Sequence, residues 1–190
     1  GMLGLNYGLV IDCFSQGTVS ANLEVGGLVG SNYKGEILNS FSRSDVSADM
    51  YWAGGLLSYN NHGTVSNCYS RGDILAEGMT GGLIGLNNEG WVLNCFSAGD
   101  VNGTTYIGGL VGQDEAGIYT ACFWDSDINP DMGGIGNAVE PNVVGESTMN
   151  LQIPETFTSA GWDFVGESLN GTQDLWRLCE EGVNSVSYTH

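Results

Sequence analysis

The run Gly-Gly-Leu-Val-Gly recurs, lightly varied, at Gly26–Gly30, Gly54–Ser58, Gly81–Gly85 and Gly108–Gly112, and a clipped copy opens the chain at Gly1-Met2-Leu3-Gly4. The four full copies start 28, 27 and 27 residues apart. Self-similarity at such a period is the signature of a solenoid, in which one unit cannot bury its apolar face alone and stacking neighbours creates the core. Any fold open to this chain must therefore repeat each side chain at regular steps along one axis.

Aligned on the glycine pairs, the units keep register nearly throughout. An apolar β-branched position recurs at Val10, Ile37, Val65 and Val92, followed by Asp12, Asn39, Asn67 and Asn94. Next come Cys13, Ser40, Cys68, Cys95 and Cys122, and then Phe14, Phe41, Tyr69, Phe96 and Phe123. The apolar pieces are short, rich in Val, Ile, Phe and Tyr, and bounded by Gly, Asn, Asp and Ser, which is strand-and-turn chemistry. No stretch within the repeats keeps helical spacing. The pattern predicts an all-β chain folded as a parallel β-helix of about five 27-residue coils. It is expected to be right-handed, the usual hand of parallel crossovers, with a rise of about 4.8 Å per coil.

Identical residues then stand above one another, so the rows Asn32, Asn60, Asn87 and Asn39, Asn67, Asn94 can bond amide to amide along the axis. The glycine pairs are expected at corners that need either positive φ or a close backbone. Strand alternation puts Val65, Asn67 and Tyr69 on one face and Cys68 on the other unless the backbone bends at Asn67. The pattern alone leaves open which row is interior.

In the fifth unit Asp114 replaces the first Asn, Ala121 the second, and Trp124 a Ser, and after Asp127 the period stops. The chain is thus expected to divide into residues 1–127 (coils, the first truncated), 128–182 (loop and C-terminal cap) and 183–190. Residues 128–145 read as loop, Ser147–Phe157 as an N-cap followed by a helical turn or two. Trp162, Phe164, Leu175, Trp176 and Leu178 offer enough apolar surface to plug a coil. Val186–His190 continue no pattern and match one translated frame of a transposon end, so 183–190 are expected to be a non-native or disordered tail. The chain begins inside a repeat without a polar cap, so further coils and any export signal are expected upstream. No apolar run approaches the ~18 residues of a membrane span.

Four Lys and Arg stand against 22 Asp and Glu, a net charge of −18. Nucleic acid is excluded as a partner, because phosphate binding needs a basic footprint that Lys34, Arg43, Arg71 and Arg177 do not supply. The acidic, Lys-poor composition suits a soluble extracellular surface. Four of the five Cys share one repeat position. Directly stacked Cβ atoms about 4.8 Å apart and parallel exceed the roughly 3.5–4.5 Å of a disulfide, so free thiols are expected. Cys179 has no assignable partner, and C-x2-C metal spacing is absent.

The column pattern G-G-L-[VIL]-G-x-N-x2-G-x-[VI]-x-N-C-[FY]-S-x-G-x-V resembles the GLUG-motif repeats of bacterial surface proteins, from Gly1 to about Asp127. Ser40, Ser58 and Asp114 depart from it at structural columns. The segment Ala160-Gly-Trp-Asp-Phe-Val165 is similar to one that often closes such arrays. Because GLUG repeats occur in large adhesin-like and other secreted proteins, some with peptidase or anchoring domains, the resemblance implies a surface location and an adhesive or scaffolding role. It brings no catalytic residues.

The chemistry-bearing residues are few. Arg43 with Asp45 and Arg71 with Asp73 are spaced to share a strand face; this resembles the base and carboxylates of β-helical polysaccharide lyases, but also an exposed salt-bridge patch. His62 and His190 have no recognisable triad partner. The N-x-T matches at Asn102 and Asn170 are short. Asp45, Asp73, Asp100 and Asp127 fall at one repeat position and are expected to form a carboxylate row, relieved by splaying into solvent with Arg43 and Arg71 at one end. A calcium ion bridging Asp100 and Asp127 is the sharper alternative. The resulting expectation is a non-enzymatic extracellular structural or adhesive module without a cofactor, whose partner is an extracellular protein or glycan. The alternative is a β-helix that binds or cleaves polysaccharide.

Overall fold

The computed structural model describes residues 1–178 and 186–188. Residues 1–125 form a parallel β-solenoid of about five coils, the first four passing through four sheets and the fifth through three of them. Sheet A stacks Leu3–Asn6, Val29–Tyr33, Leu57–Asn61, Ile84–Asn88 and Val111–Glu115, and sheet B stacks Leu9–Ile11, Glu36–Leu38, Thr64–Ser66, Trp91–Leu93 and Ile118–Thr120. Sheet C carries Phe14–Ala21, Phe41–Ala48 and their shorter counterparts up to Cys122–Asp125. Sheet D stacks Glu24–Gly26, Trp52–Gly54, Met79–Gly81 and Thr105–Gly108. Every pair in the solenoid is parallel, Val65 lying between Ile37 and Val92 and Tyr69 between Phe41 and Phe96.

Two of the corners are single residues in the left-handed conformation. Lys34, His62, Glu89 and Ala116 turn the chain from sheet A to sheet B at φ 57°, 51°, 48° and 60°. Asp12, Asn39, Asn67, Asn94 and Ala121 turn it from B to C at φ 55°, 50°, 52°, 49° and 49°. Asn and Asp tolerate this region better than other side-chain-bearing residues, which explains their column. The bend at Asn67 also decides the interior row. Val65 and Cys68, on either side of the corner, both point inward with 0% exposure, and Tyr69 points outward.

The glycine pairs form the corner between sheets D and A, and the requirement is close approach rather than positive φ. A Cβ on Gly55 would lie 2.3 Å from the Gly82 carbonyl oxygen of the next coil and 2.8 Å from the Ser70 Cβ. The chain folds back so sharply here that the outer faces of D and A meet: Ser58 Oγ donates to the Trp52 carbonyl at 2.9 Å and Ser31 Oγ to Glu24 Oε2 at 2.9 Å.

The interior contains Leu, Val, Ile and Cys rows beside a smaller set around Val46, Ile74 and Val101. Through it runs an amide ladder. Nδ2 of Asn6 donates to Asn32 Oδ1 (2.8 Å), Asn32 to Asn60 (3.0 Å) and Asn60 to Asn87 (2.9 Å). The second proton of each of Asn32, Asn60 and Asn87 goes to the carbonyl of Gly35, Gly63 or Gly90, so every donor of these buried amides is used.

Residues 128–145, expected as loop, form an abridged sixth turn. Ile135 bridges Val111, Val143–Glu146 pairs in parallel with Cys122–Asp125, and the Asn137 side chain spans the Asp114 amide and carbonyl at 2.8 and 3.0 Å. Trp124, in place of Ser97, fills the space against Gly109 and Gly145. The end is thus closed by Ile135, Val143 and Trp124. The large apolar residues farther on, expected to plug a coil, lie against the side of the rod. Phe157, Trp162, Phe164 and Trp176 cover the outward rings of Tyr69, Phe96 and Phe123, and Trp162 Nε1 donates to the Ala121 carbonyl at 2.9 Å. The reason is the aromatic column itself, which three coils present outward. Within this segment Asn150–Gln152 is a 3-10 turn and Pro154–Thr158 a short α-helix, with Ser147 Oγ accepting from the Asn150 amide. Trp176–Leu178 pairs antiparallel with Val186–Tyr188; the rest of the expected tail and Cys179 lie outside the described residues.

Candidate functional site

The outward face of sheet C carries the charged residues singled out in the sequence. Arg43 and Asp45 both point outward from Phe41–Ala48, yet each turns to a partner along the axis. Arg43 reaches Tyr69 Oη at 3.4 Å and lies over the Phe41 ring at 5.3 Å; Arg71 lies over Phe96 at 5.6 Å. The carboxylate row exists over three coils. Asp45 Oδ1 accepts the Asp73 amide at 3.1 Å and Asp73 Oδ1 the Asp100 amide at 3.0 Å, so backbone N–H groups offset the repulsion within it.

Asp127, expected as the fourth member, leaves the row because the chain turns out of the coil. Its amide binds Asp125 Oδ1, its Oδ2 accepts the Thr148 amide, and Asn129 Oδ1 takes the Val101 amide instead. Asp100 Oδ2 accepts from Asn102 Nδ2 at 2.9 Å. Among the described residues no three His, Cys, Asp or Glu side chains are grouped to hold a metal ion. His62 Nδ1 lies 3.6 Å from Glu89 Oε2 at neighbouring left-handed corners. Asn170 donates to the Thr158 and Trp162 carbonyls inside the lateral segment. His190 lies outside the described residues.

Beside Arg71, where Ala98 replaces a longer side chain, a cleft of about 40 Å³ reaches Asp125, Thr148 and Gln152. Asp125 is 2% exposed and accepts from Thr148 Oγ1 and the amides of Asp127 and Ile128. A water needs about 10–15 Å³ by this measure, so the cleft suits a few waters rather than a sugar ring.

The inward titratable groups are structural. Cys13, Cys68, Cys95 and Cys122 are free thiols; Cys95 and Cys122 each donate to the carbonyl two residues back, and burial pushes both thiols well above their ordinary range. Tyr119 occupies the Val65–Val92 column. Its hydroxyl donates to Asp114 Oδ1 at 2.5 Å, and burial with that carboxylate holds the phenol far above its usual pKa.

Among the described residues, a half-exposed aromatic constellation lies outside the three core clusters. On the joined outer faces of sheets D and A, Tyr7 stacks on Tyr33 with ring centroids 5.6 Å apart, Tyr33 meets Tyr59 edge-on at 5.5 Å, and Tyr59 meets Trp52 at 5.0 Å. Trp52 Nε1 donates to Met79 Sδ, and Asn61 and Asn88 donate to Tyr59 Oη at 2.6 and 3.5 Å. Desolvation, with Tyr59 and Glu24 alongside, raises the Tyr33 pKa. Reading the sequence by columns missed this flank, because only Tyr7 and Tyr33 share a column, while Tyr59 and Trp52 stand in two others. The signal present was the longer 28-residue step of the second coil. Compared with protein families, with curated proteins and with solved structures, the chain matches nothing.

Proposed function

We propose that the chain is a non-enzymatic module of an extracellular or cell-surface protein, a rod that holds rows of side chains at fixed pitch and presents them to a partner. The observation that carries this reading is the division of labour between faces. Among the described residues, inward columns are consumed by packing and the amide ladder, whereas the half-exposed aromatic flank of sheets D and A serves neither. The GLUG-type columns and the acidic surface support the extracellular assignment. Solenoids suit such a task because each coil contacts only its neighbours, leaving long lateral faces for binding.

The test has two arms. An epitope inserted after Val139, which is 97% exposed, is expected to be labelled on intact cells of the native host; labelling only after lysis would overturn the surface assignment. The purified chain is expected to release no reducing ends or unsaturated products from a polysaccharide panel. Release abolished by Arg71→Ala would replace this reading with a polysaccharide-cleaving one.

A further inference from the structure

The repeat is broken twice on sheet D. Between Ala48 and Trp52 the second coil has one residue more than the matching Ala76–Met79 step of the third. The added length carries Met50 and Tyr51 outward, Tyr51 at 52% exposure. In the fourth coil the register slips between Met79 and Thr80, which oppose Thr105 and Ile107. Tyr106 is the bulged residue, at φ 44° and 46% exposure. A tyrosine in the left-handed region is strained, and bulges re-aim side chains beside functional sites. The first break sets Tyr51 against Trp52, ring centroids 6.4 Å apart, on the flank that also holds Tyr59 and Tyr33; the second exposes Tyr106 farther along the same sheet.

We propose that this flank is a binding site for an uncharged polysaccharide lying along the solenoid axis; the inference rests on reading the chain as a presenting module. Ring neighbours recur at 5.0 to 5.6 Å, close to one coil and comparable to the length of one sugar in an extended glycan. Tyr59 stands at 90° to Tyr33, turning its face out of the axial stack. Sugars offer an apolar C–H face and a hydroxyl rim. The flank matches both, with aromatic rings beside the Asn61 and Asn88 amides, the Tyr59 hydroxyl and Glu24. Charge selects within the class: a net −18 chain with four Lys and Arg repels acidic glycans. Sheets A and D present side chains rather than free strand edges here, so an extended peptide would gain no main-chain ladder.

The repeat supplies its own fold-preserving substitutions. Tyr33→Asn, Trp52→Met and Tyr59→Leu each install the residue that the next coil carries in that column, Asn61, Met79 and Leu86. Titration calorimetry of the full chain with cellohexaose, mannohexaose and chitohexaose, against polygalacturonate, is expected to show saturable binding of at least one neutral hexamer. Trp52→Met should weaken it at least tenfold and the triple variant abolish it, while both keep the β-rich far-UV spectrum and a single cooperative unfolding transition; Phe14→Ser, on sheet C, should leave it intact. Absence of binding to every neutral hexamer overturns the proposal, as does binding that survives the triple variant. So does flank-dependent self-association without hexamer binding, which would make the flank a protein interface. The epitope label separates the two readings: labelled cells with no hexamer binding remove only the ligand class, whereas unlabelled cells remove the module itself.

Discussion

At the scale of single residues, the buried Cys column couples stability to pH. Cys95 and Cys122 have raised pKa values in the fold because burial disfavours the thiolate. Below about pH 8.5, the ordinary thiol value, folded and unfolded chains both hold these protons and stability is unaffected. Above it the unfolded chain releases protons that the folded chain keeps. Stability therefore falls, by up to about 1.4 kcal/mol per pH unit for each thiol. Cys95→Ser places at that position the residue Ser40 already carries in the same column. Urea unfolding between pH 8.5 and 10 is expected to show a pH slope shallower by about one proton in the variant; an unchanged slope would assign the alkaline loss elsewhere. The column was legible in the sequence because identical residues at identical spacing have one explanation. Its direction was not, since inside and outside exchange at a single left-handed residue, Asn67, and alternation says nothing of φ.

At the scale of elements, the C-terminal segment behaves as a lateral latch. Its docking surface is the row of Tyr69, Phe96 and Phe123, while Phe14 at the far end of the same row is 62% exposed. Trp162 is fully buried between the segment and this row. Trp162→Ala is expected to cost about 3–5 kcal/mol of docking, the usual price of emptying an aromatic site. Limited proteolysis should then cut within 147–178 while residues 1–146 remain resistant; simultaneous digestion of both would show that the latch and the rod are one cooperative unit. The sequence announced apolar surface in this segment but not its destination. Plugging an end and covering a side demand the same residues, and only the outward turn of the aromatic column separates them. The aromatic flank escaped notice for a related reason: Tyr33, Trp52 and Tyr59 are neighbours across two sheets and two coils, without common spacing.

At the scale of the whole molecule, the coils are near-equivalent layers whose contacts are with the layers above and below. Deleting residues 54–80, one full coil, joins Ala53 to Gly81 and brings Asn32 under Asn87 and Phe41 under Phe96, each pair already matched in kind. The shortened chain is expected to fold, with a β-rich far-UV spectrum and one cooperative transition at reduced stability. An unfolded product would show that the coils are not layers of one kind. The last coil is different. The ladder hands a proton from each amide to the next, and Asp114, which can only accept, receives from Asn87 at 3.4 Å, from Gly117 and from Tyr119. No donor remains there to pass on. The array thus has a syntax in which inner coils are interchangeable words and the Asp114 coil is a full stop. Unequal recombination can lengthen or shorten such a rod only ahead of that stop, so its length is free to drift while its closing end stays fixed.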